Sequence, residues 1–286
     1  FFGPKNFCTT ALPDRAQIGG MTNRLPVLFL GHGSPMTVIS DVPERQAWVD
    51  LGQALPRPKA ILVISAHWET QSASHLTTGQ HPRTIHDFGG FPAELYAMQY
   101  PAPGSDQLVE RVAALLGEDR VKRDASWGFD HGSWGVILPM YPAADIPMVQ
   151  LSLDRTASPE EHLARAAALA PLRDEGVLIV GSGNVVHNLA LWRQFAGTRP
   201  DWAIEFQGRV NRAVIAGDHA ALTRFAPDDQ AASAAINSAE HYLPLLYAVG
   251  ARLPGDEAAV FSDTIDGALS MISYLIGVPA LLSNLH

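Results

Sequence analysis

Four histidines of this chain stand where an apolar run ends or where a helical pattern begins. His32 follows the run LPVLFLG, His67 follows AILVISA, His187 follows VLIVGSGNVV, and His241 precedes YLPLLYA. Short apolar runs of this kind are typical of strands buried in a parallel sheet, and open α/β sheets build their sites at the carboxyl edge of such strands. Imidazoles that share an edge are suitable ligands for a divalent transition metal. The pattern therefore predicts a metal site.

Composition limits the class of protein. The 286 residues, 47% of them hydrophobic, suit one large α/β domain, and no low-complexity linker divides the chain. With 29 acidic and 20 basic residues the net charge is -9, which disfavours nucleic acid as a partner. No apolar run approaches the roughly 20 residues of a membrane span. The single cysteine, Cys8, fits a reducing cytoplasm, and nothing in the sequence sets the oligomeric state.

Residues 1–20 differ from the rest of the chain. They show no helical or strand period, and they lack the basic region and apolar core of a signal peptide. We expect a leader or disordered arm at 1–20 and one catalytic domain at 21–286, which begins at Met21.

The remaining pattern predicts alternating strands and helices. Strands are predicted at 26–30, 60–66, 72–78, 146–153, 177–181 and 258–262, with a strand or helix at 268–276. Helices are predicted at 44–55, 105–116, 158–176, 201–217 and 241–250. The first strand, helix and strand form a right-handed unit that puts His32 and His67 at one edge. We expect a single α/β domain with a central, mostly parallel or mixed sheet flanked by helices and a site at the carboxyl edge of the strands.

A long segment at 81–103 is rich in proline, glycine and aromatic residues and has no clear period. Such segments often act as lids or binding loops, so we expect this one to shape a substrate pocket. Phe91, together with Trp134 further along the chain, would suit a planar ring, and Arg83 would pair with a carboxylate.

The stretch Gly181–Ser182–Gly183 looks like part of a nucleotide-binding loop. The dinucleotide fingerprint needs a third glycine at position 186, where this chain has Val186, so phosphate binding is not expected. We expect the glycines to let the backbone turn sharply and bring His187 over the sheet edge.

Six motifs, in order along the chain, carry a family resemblance: GHGSPM, AHWE, IHDFGGFP, DHGSWGVILPMYP, GSGNVVHNL and EHYLPLLYA. They resemble the 4,5-DOPA extradiol dioxygenases, class III ring-cleavage enzymes related to the catalytic subunit of protocatechuate 4,5-dioxygenase. The resemblance extends from Leu25 to Ile276. It implies insertion of both atoms of O2 into a catechol-type, DOPA-like substrate, which gives a ring-opened semialdehyde.

The resemblance also implies one divalent metal ion. His32, His67 and His241 match the metal ligands of the family, and His187 matches a position beside the metal, as a further ligand or as an acid/base. His131 matches a second histidine of the pocket. The imidazole set suits both iron and zinc, and zinc can occupy the site in a purified protein.

Ring cleavage requires a metal on which a catecholate and dioxygen bind side by side and exchange electrons. Ferrous iron meets this requirement, whereas zinc has no redox chemistry. A base must take a phenolic proton and an acid must later assist O–O cleavage, and one imidazole can serve both steps. We assign this role to His187, and hydrogen bonding with the substrate or oxygen to His131.

Two other functions use the same residues. A zinc-dependent hydrolase would activate water with Glu69 or Glu240 as general base, and a non-enzymatic scaffold of the same superfamily would keep the fold without catalysis. Single histidines also have structural interpretations: His187 as a helix cap, His131 as a packed loop residue and His86 as a loop hydrogen-bonder. Five more histidines are predicted to lie at the surface: His75, His81, His162, His219 and His286.

Overall fold

The computed structural model describes residues 24–226 and 228–279. The leader predicted at 1–20 and the predicted start at Met21 lie outside the described residues. The strands are β1 (Val27–Gly31), β2 (Ala60–Thr70), β3 (Ser74–Thr77), β4 (Val121–Asp124), β5 (Met148–Asp154), β6 (Val177–Gly183), β7 (Glu257–Ser262), β8 (Ile265–Asp266), β9 (Leu269–Ser270) and β10 (Ser273–Gly277). The helices are α1 (Pro43–Ala54), α2 (Ala93–Ala97), α3 (Asp106–Leu116), α4 (His131–Met140), α5 (Pro159–Leu169), α6 (Leu189–Phe195), α7 (Asp201–Ala216), α8 (His219–Thr223), α9 (Gln230–Ala235) and α10 (Leu243–Gly250).

Eight of these strands form one mixed sheet in the order β4-β3-β5-β2-β6-β1-β10-β7. The four central strands, β5, β2, β6 and β1, are parallel, whereas β10 runs antiparallel to β1 and β3 runs antiparallel to β5. The predicted α/β domain with a mixed sheet is confirmed, and the undecided segment at 268–276 ends in a strand. Within the described ranges, no helix is long and apolar enough to cross a membrane.

Both faces of the sheet are covered by helices, as the uninterrupted apolar runs predict. Along β1, Val27 and Phe29 pack into a core with residues of α5, α7 and α10, whereas Leu28 and Leu30 pack into a second core with residues of α1 and α4. Successive side chains of a strand point to opposite faces, so a strand between two helical layers is apolar at every position. β1 is apolar throughout, and the buried polar residues Gln150 and Ser152 of β5 are exceptions to this pattern.

The candidate histidines lie at the carboxyl edge of the parallel strands. His32 directly follows β1, His187 follows the end of β6, and His241 precedes α10. His131, the fourth, is the first residue of α4. Each of these side chains is thus placed by the end of a regular element.

His67 reaches the same edge in a different way. It lies inside β2, which continues to Thr70 rather than ending at 66 as the sequence predicts. The register with β5 shifts between Ile64 and Glu69, so His67 lies in an irregular part of the strand. Irregularities of this kind re-aim side chains and are common beside functional sites.

Helix α4 is the longest helix that the sequence does not predict. The side chain of Asp130 accepts a hydrogen bond from the backbone N–H of Ser133 at the start of this helix, and Pro139 lies in its last turn. Nine of its ten residues are buried, so the helix has no polar face and its sequence shows no period. Periodicity cannot reveal a helix of this kind.

The expectation of a sharp turn at Gly181–Gly183 is wrong. Both glycines belong to β6, and neither has a positive φ. A Cβ atom on Gly183 would collide with the carbonyl oxygen of His241 and would come within 3.2 Å of Cγ of Pro244. These glycines are therefore needed because the chain before α10 packs directly on the strand.

The close packing at Gly183 predicts that Gly183→Ala destabilises the protein by about 1–3 kcal/mol, because the added methyl group overpacks a tight contact. Gly89→Ala is the matched control, since a Cβ atom there meets nothing within 4 Å and the residue has no positive φ. Thermal unfolding of the two variants beside the unsubstituted protein measures the difference. Equal melting temperatures for both variants would contradict the packing argument.

His162 is buried, so the prediction that it lies at the surface is wrong. It lies on the face of α5 that meets α10, where its Nδ1 is 3.1 Å from the hydroxyl oxygen of Tyr247. Burial, assisted by the nearby positive charge of Arg165, lowers the pKa of His162 to about 4.

This pKa predicts a pH dependence of stability. The unfolded chain protonates His162 near its ordinary pKa of 6.5, whereas the folded protein does so only near 4. Stability is therefore greatest above pH 6.5 and falls as the pH decreases towards 4, by roughly 2 kcal/mol at pH 5 from this residue. Urea unfolding at pH 7 and pH 5 should show that His162→Gln loses less stability on acidification than the unsubstituted protein. The exposed His219, changed to Gln, is the control, and equal losses in all three proteins would refute the prediction.

Candidate metal centre

Five imidazoles converge at the carboxyl edge of the central strands. The ring centroids of His32, His67 and His241 lie 5.0, 5.1 and 5.3 Å apart. His131 lies 4.0 Å from His67, and the ring of His187 stacks on that of His241 with centroids 3.4 Å apart and planes inclined by 4°. The structure therefore brings together every histidine that the sequence analysis assigned to the site.

The ring nitrogens divide into two groups. Nitrogens of His32, His67 and His131 lie within 4.8 Å of one another, and a second group consists of His187, His241 and the carboxylate of Glu240. By the positions of the nitrogens, His131 completes the group that contains His32 and His67, whereas His241 belongs to the second group.

The rings of His32, His67 and His241 are also spaced as rings around one divalent ion would be. An imidazole nitrogen binds such an ion at about 2.1 Å, which places the centroids of three rings on one ion roughly 5 Å apart. The almost equilateral triangle of these three rings has this size, while the nitrogens that lie within 4.8 Å of one another are those of His32, His67 and His131. Imidazole donors suit both iron and zinc.

Each ring of this triangle is held through Nδ1 by an oxygen atom behind it. The Nδ1–oxygen distances are 3.0 Å from His32 to Ser182 Oγ, 3.2 Å from His67 to Asp87 Oδ2 and 3.1 Å from His241 to Glu240 Oε1. Metal-binding histidines nearly always have such a partner, which sets the orientation and tautomer of the ring. The Nε2 atoms of His32 and His67 approach each other to 3.1 Å, so these two nitrogens face the same part of the cluster.

Burial keeps these imidazoles neutral. The pKa of His32 and that of His67 lie well below the ordinary value, because both rings are buried and each faces other imidazoles. Burial also lowers the pKa of His241, although its hydrogen bond with Glu240 partly opposes this effect. The neutral imidazole is the form that binds a metal ion.

His187 differs from the other four histidines in its hydrogen bonding. Its backbone N–H donates to the carbonyl of Ala235 at 2.9 Å, but its ring has no hydrogen-bond partner among the described residues. Burial, and to a lesser degree the neighbouring His241, lowers the pKa of His187 to about 3. The ring of His187 is therefore neutral and has both nitrogens free of hydrogen bonds to the described residues.

His131 is fastened to Asp87. The carboxylate accepts the backbone N–H of His131 at 2.8 Å, and its Oδ2 is 2.9 Å from Nδ1 of the ring. Burial raises the pKa of Asp87, but the hydrogen bond from His131 and the proximity of His67 outweigh burial, so the net shift is downward. Because Nδ1 is engaged, Nε2 is the nitrogen of His131 that can meet a ligand.

The segment 81–103 forms an aromatic wall beside the histidines. The ring of Phe88 meets the ring of His131 edge-on, with 5.6 Å between the ring centroids. The ring centroids of Phe91 and Tyr96 lie 5.4 and 5.2 Å from that of Phe88. Trp134 of α4 lies behind Phe88, at 6.4 Å. This cluster offers flat apolar surface next to the imidazoles.

The three residues predicted to bind substrate occupy unlike positions. Phe91 is half-buried in the aromatic wall, whereas Trp134 has no exposed surface and donates its indole N–H to the carbonyl of Ile85 at 2.9 Å. Arg83 is exposed, and its backbone carbonyl accepts a hydrogen bond from Phe129. Of the aromatic residues in the wall, Phe88 has its ring packed directly on a site histidine.

The acceptors behind the rings are not predicted from the sequence. Ser182 enters the sequence predictions only as the residue between two glycines, and Glu240 enters them only as a general base. Asp87 has no predicted role. The signal for Asp87 is an acidic residue within the motif IHDFGGFP, combined with the rule that a metal-binding histidine requires an acceptor. That rule does not say which acceptor meets which ring.

The remaining histidines are distributed around the fold. His86 lies 2.9 Å from the carbonyl of Met98, in agreement with the prediction of a loop hydrogen bond. His81 and His219 are exposed, as predicted, whereas His75 is half-buried with Nδ1 3.2 Å from Asp124. His286 lies outside the described residues.

Comparison with known proteins identifies relatives along almost the whole chain. Residues 26–264 match the family described as "Catalytic LigB subunit of aromatic ring-opening dioxygenase". Two relatives are named "4,5-DOPA dioxygenase extradiol". The relative from Escherichia coli K12 is 45% identical, and the match covers 90% of this chain and 96% of the relative. The relative from Beta vulgaris is 36% identical, and the match covers 88% of this chain and 96% of the relative. The crystal structure of the uncharacterized protein JW3007 from Escherichia coli K12 has a TM-score of 0.74 at 41% identity, and covers 89% of this chain and 100% of its own.

The matched region contains all five converging histidines and the acceptors behind them. Among the functions that the sequence analysis considered, the family description agrees with the ring-opening dioxygenase and not with a hydrolase or a scaffold. The chain therefore belongs to the family of the catalytic LigB subunit of aromatic ring-opening dioxygenases and is an extradiol enzyme.

Proposed function

We propose that this extradiol dioxygenase uses ferrous iron to open the ring of a DOPA-like catechol with both atoms of O2, which yields a semialdehyde. The observation that carries the proposal is the triangle of imidazoles with edges of 5.0, 5.1 and 5.3 Å, each ring held through Nδ1. The names of the relatives from Escherichia coli and Beta vulgaris support the substrate class.

His32, His67 and His241 are the proposed metal ligands. Their rings are buried and neutral, and the separations of the rings suit one ion. When ferrous iron is bound, it supplies positions for the diol and for dioxygen and passes electrons between them, which zinc cannot do.

His187 is the proposed acid/base. Its ring has no hydrogen-bond partner among the described residues, and stacking on His241 holds it in place at 3.4 Å. It takes a proton from a hydroxyl of the diol and returns one during O–O cleavage. His131, whose Nδ1 is committed to Asp87, hydrogen-bonds through Nε2 with the substrate or oxygen.

The aromatic wall is the proposed binding surface for the catechol ring. Phe88 and Phe91 present apolar surface beside His131, and the buried Trp134 supports them from behind. Arg83, exposed on the same segment, is available for a carboxylate of the substrate.

We also propose a cytoplasmic location, since the only cysteine is Cys8 and the chain therefore has no intrachain disulfide.

Metal dependence tests the proposed reaction. Metal-free protein reconstituted anaerobically with ferrous iron should consume oxygen and give a yellow ring-opened product with DOPA, whereas zinc-loaded protein should do neither. The measurements are oxygen uptake and absorbance scans with a small panel of catechols. Oxygen uptake in the zinc form, or its absence in an iron form that binds catechol, would refute the proposal.

The role of His187 predicts that His187→Ala lowers kcat about a hundredfold or more, because the proton transfer loses its base. The KM for the catechol and the affinity for zinc should stay within about threefold, since the ring is not placed among the ligands. His81→Ala, at an exposed histidine of the substrate segment, is the control. A tenfold loss of zinc affinity would make His187 a ligand instead, and unchanged turnover would remove it from the mechanism.

A further inference from the structure

One carboxylate of the structure serves two imidazoles of the site. Oδ2 of Asp87 lies 3.2 Å from Nδ1 of His67 and 2.9 Å from Nδ1 of His131. Oδ1 of the same group accepts the backbone N–H of His131 at 2.8 Å. The side chain of Asp87 is only 17% exposed, so these contacts are largely shielded from water.

These contacts favour one tautomer of each ring. Nδ1 of His131 carries the proton of its hydrogen bond, because a carboxylate only accepts, and a lone pair on Nδ1 of His67 would be repelled by the same carboxylate oxygen at 3.2 Å. Nε2 of His67 and Nε2 of His131 are then lone-pair nitrogens. His67 needs its lone pair to bind a metal ion, and His131 needs its lone pair to accept a hydrogen bond from a hydroxyl group.

The other rings of the triangle have separate partners. Ser182 contacts only the ring of His32 among the site histidines, and Glu240 contacts that of His241. Ser182 also differs chemically, because a hydroxyl group can donate as well as accept and does not specify a tautomer. Among the described acceptors, Asp87 is therefore the one that fixes two rings at once.

Asp87 also joins the metal site to the substrate segment. The next residue, Phe88, packs edge-on against His131 at 5.6 Å, and the preceding residue, His86, lies 2.9 Å from the carbonyl of Met98. Movement of this part of the segment would displace the carboxylate from both imidazoles.

We propose that Asp87 is a positioning residue that holds His67 and His131 as Nδ1–H tautomers and links their orientation to the aromatic wall of the substrate pocket. The inference rests on the proposed function for its catalytic meaning, but its effect on the imidazoles and on metal binding is independent of turnover. Asp87 acts through the two histidines and has no assigned contact with the substrate.

The test is Asp87→Asn in the full chain. The amide group is close in shape to the carboxylate but has only one acceptor oxygen. If its N–H group faces the Nδ1 atoms, it favours the opposite tautomer, and if its oxygen faces them, its N–H group meets the backbone N–H of His131 and the side chain is displaced. Loss of such an outer partner weakens metal binding about 10- to 100-fold. The control is Glu94→Gln, which removes the same charge from an exposed position of the same segment.

Two measurements report on the proposal. Long-range 15N–1H spectra of the metal-free protein should show His67 and His131 as Nδ1–H tautomers in the unsubstituted protein and in Glu94→Gln, but not in Asp87→Asn. Competition with a chromophoric chelator should give a zinc dissociation constant 10 to 100 times higher for Asp87→Asn only. In the iron form, kcat should fall while KM for the catechol stays within about threefold.

Asp87→Glu provides a second variant, because it retains an acceptor and should keep both tautomers even if the amide variant folds poorly. Unchanged tautomers and a zinc dissociation constant within twofold in Asp87→Asn, with circular dichroism unchanged, would overturn the proposal. If instead these properties change as expected while the unsubstituted iron form consumes no oxygen with any catechol, the positioning role stands and the proposed function fails.

Discussion

The site depends on the contact between Nδ1 of each ring of the triangle and an oxygen atom behind it, which is a hydrogen bond for His32 and His241 and a distance of 3.2 Å to Asp87 for His67. An imidazole in a dry cluster that lacked this partner would leave a polar nitrogen unsatisfied, which costs about 1–3 kcal/mol, and the ring would be free to rotate. With the partner in place, burial lowers the pKa of His32 and His67 and keeps the rings neutral. The same contacts therefore make the rings both stable in the protein interior and ready for a metal ion.

The sheet makes this arrangement possible because its parallel central strands end at one edge. Helices cover both faces, so the central strands are mostly apolar, and side chains that follow them meet at that edge. Close packing completes the arrangement on the β6 side, where Gly183 lets the carbonyl of His241 approach the strand. On the β2 side, an irregular register turns His67 towards the same centre.

Two groups of imidazoles with different partners support two kinds of chemistry in one cluster. The rings of the proposed ligands His32, His67 and His241 form a triangle with edges of 5.0, 5.1 and 5.3 Å. His187, the proposed acid/base, stacks on His241 without a hydrogen-bond partner among the described residues. His131 stands between the triangle and the aromatic wall, since Asp87 ties it to His67 and Phe88 packs on its ring. The contacts of one loop thus reach both the proposed ligands and the proposed substrate surface.

The amino-acid sequence by itself determined the α/β class and the sheet edge at which the histidines lie, because short apolar runs that alternate with amphipathic helices are typical of strands buried between helical layers. It also determined five of the ten described α-helices, for example α5, whose start carries the capping box of Ser158 and Glu161. It did not reveal α4, since a helix buried on all sides has no period. Only the tertiary structure decided which acceptor meets which ring, because these contacts join residues far apart in the chain, such as His32 and Ser182, and depend on how the strands and loops pack.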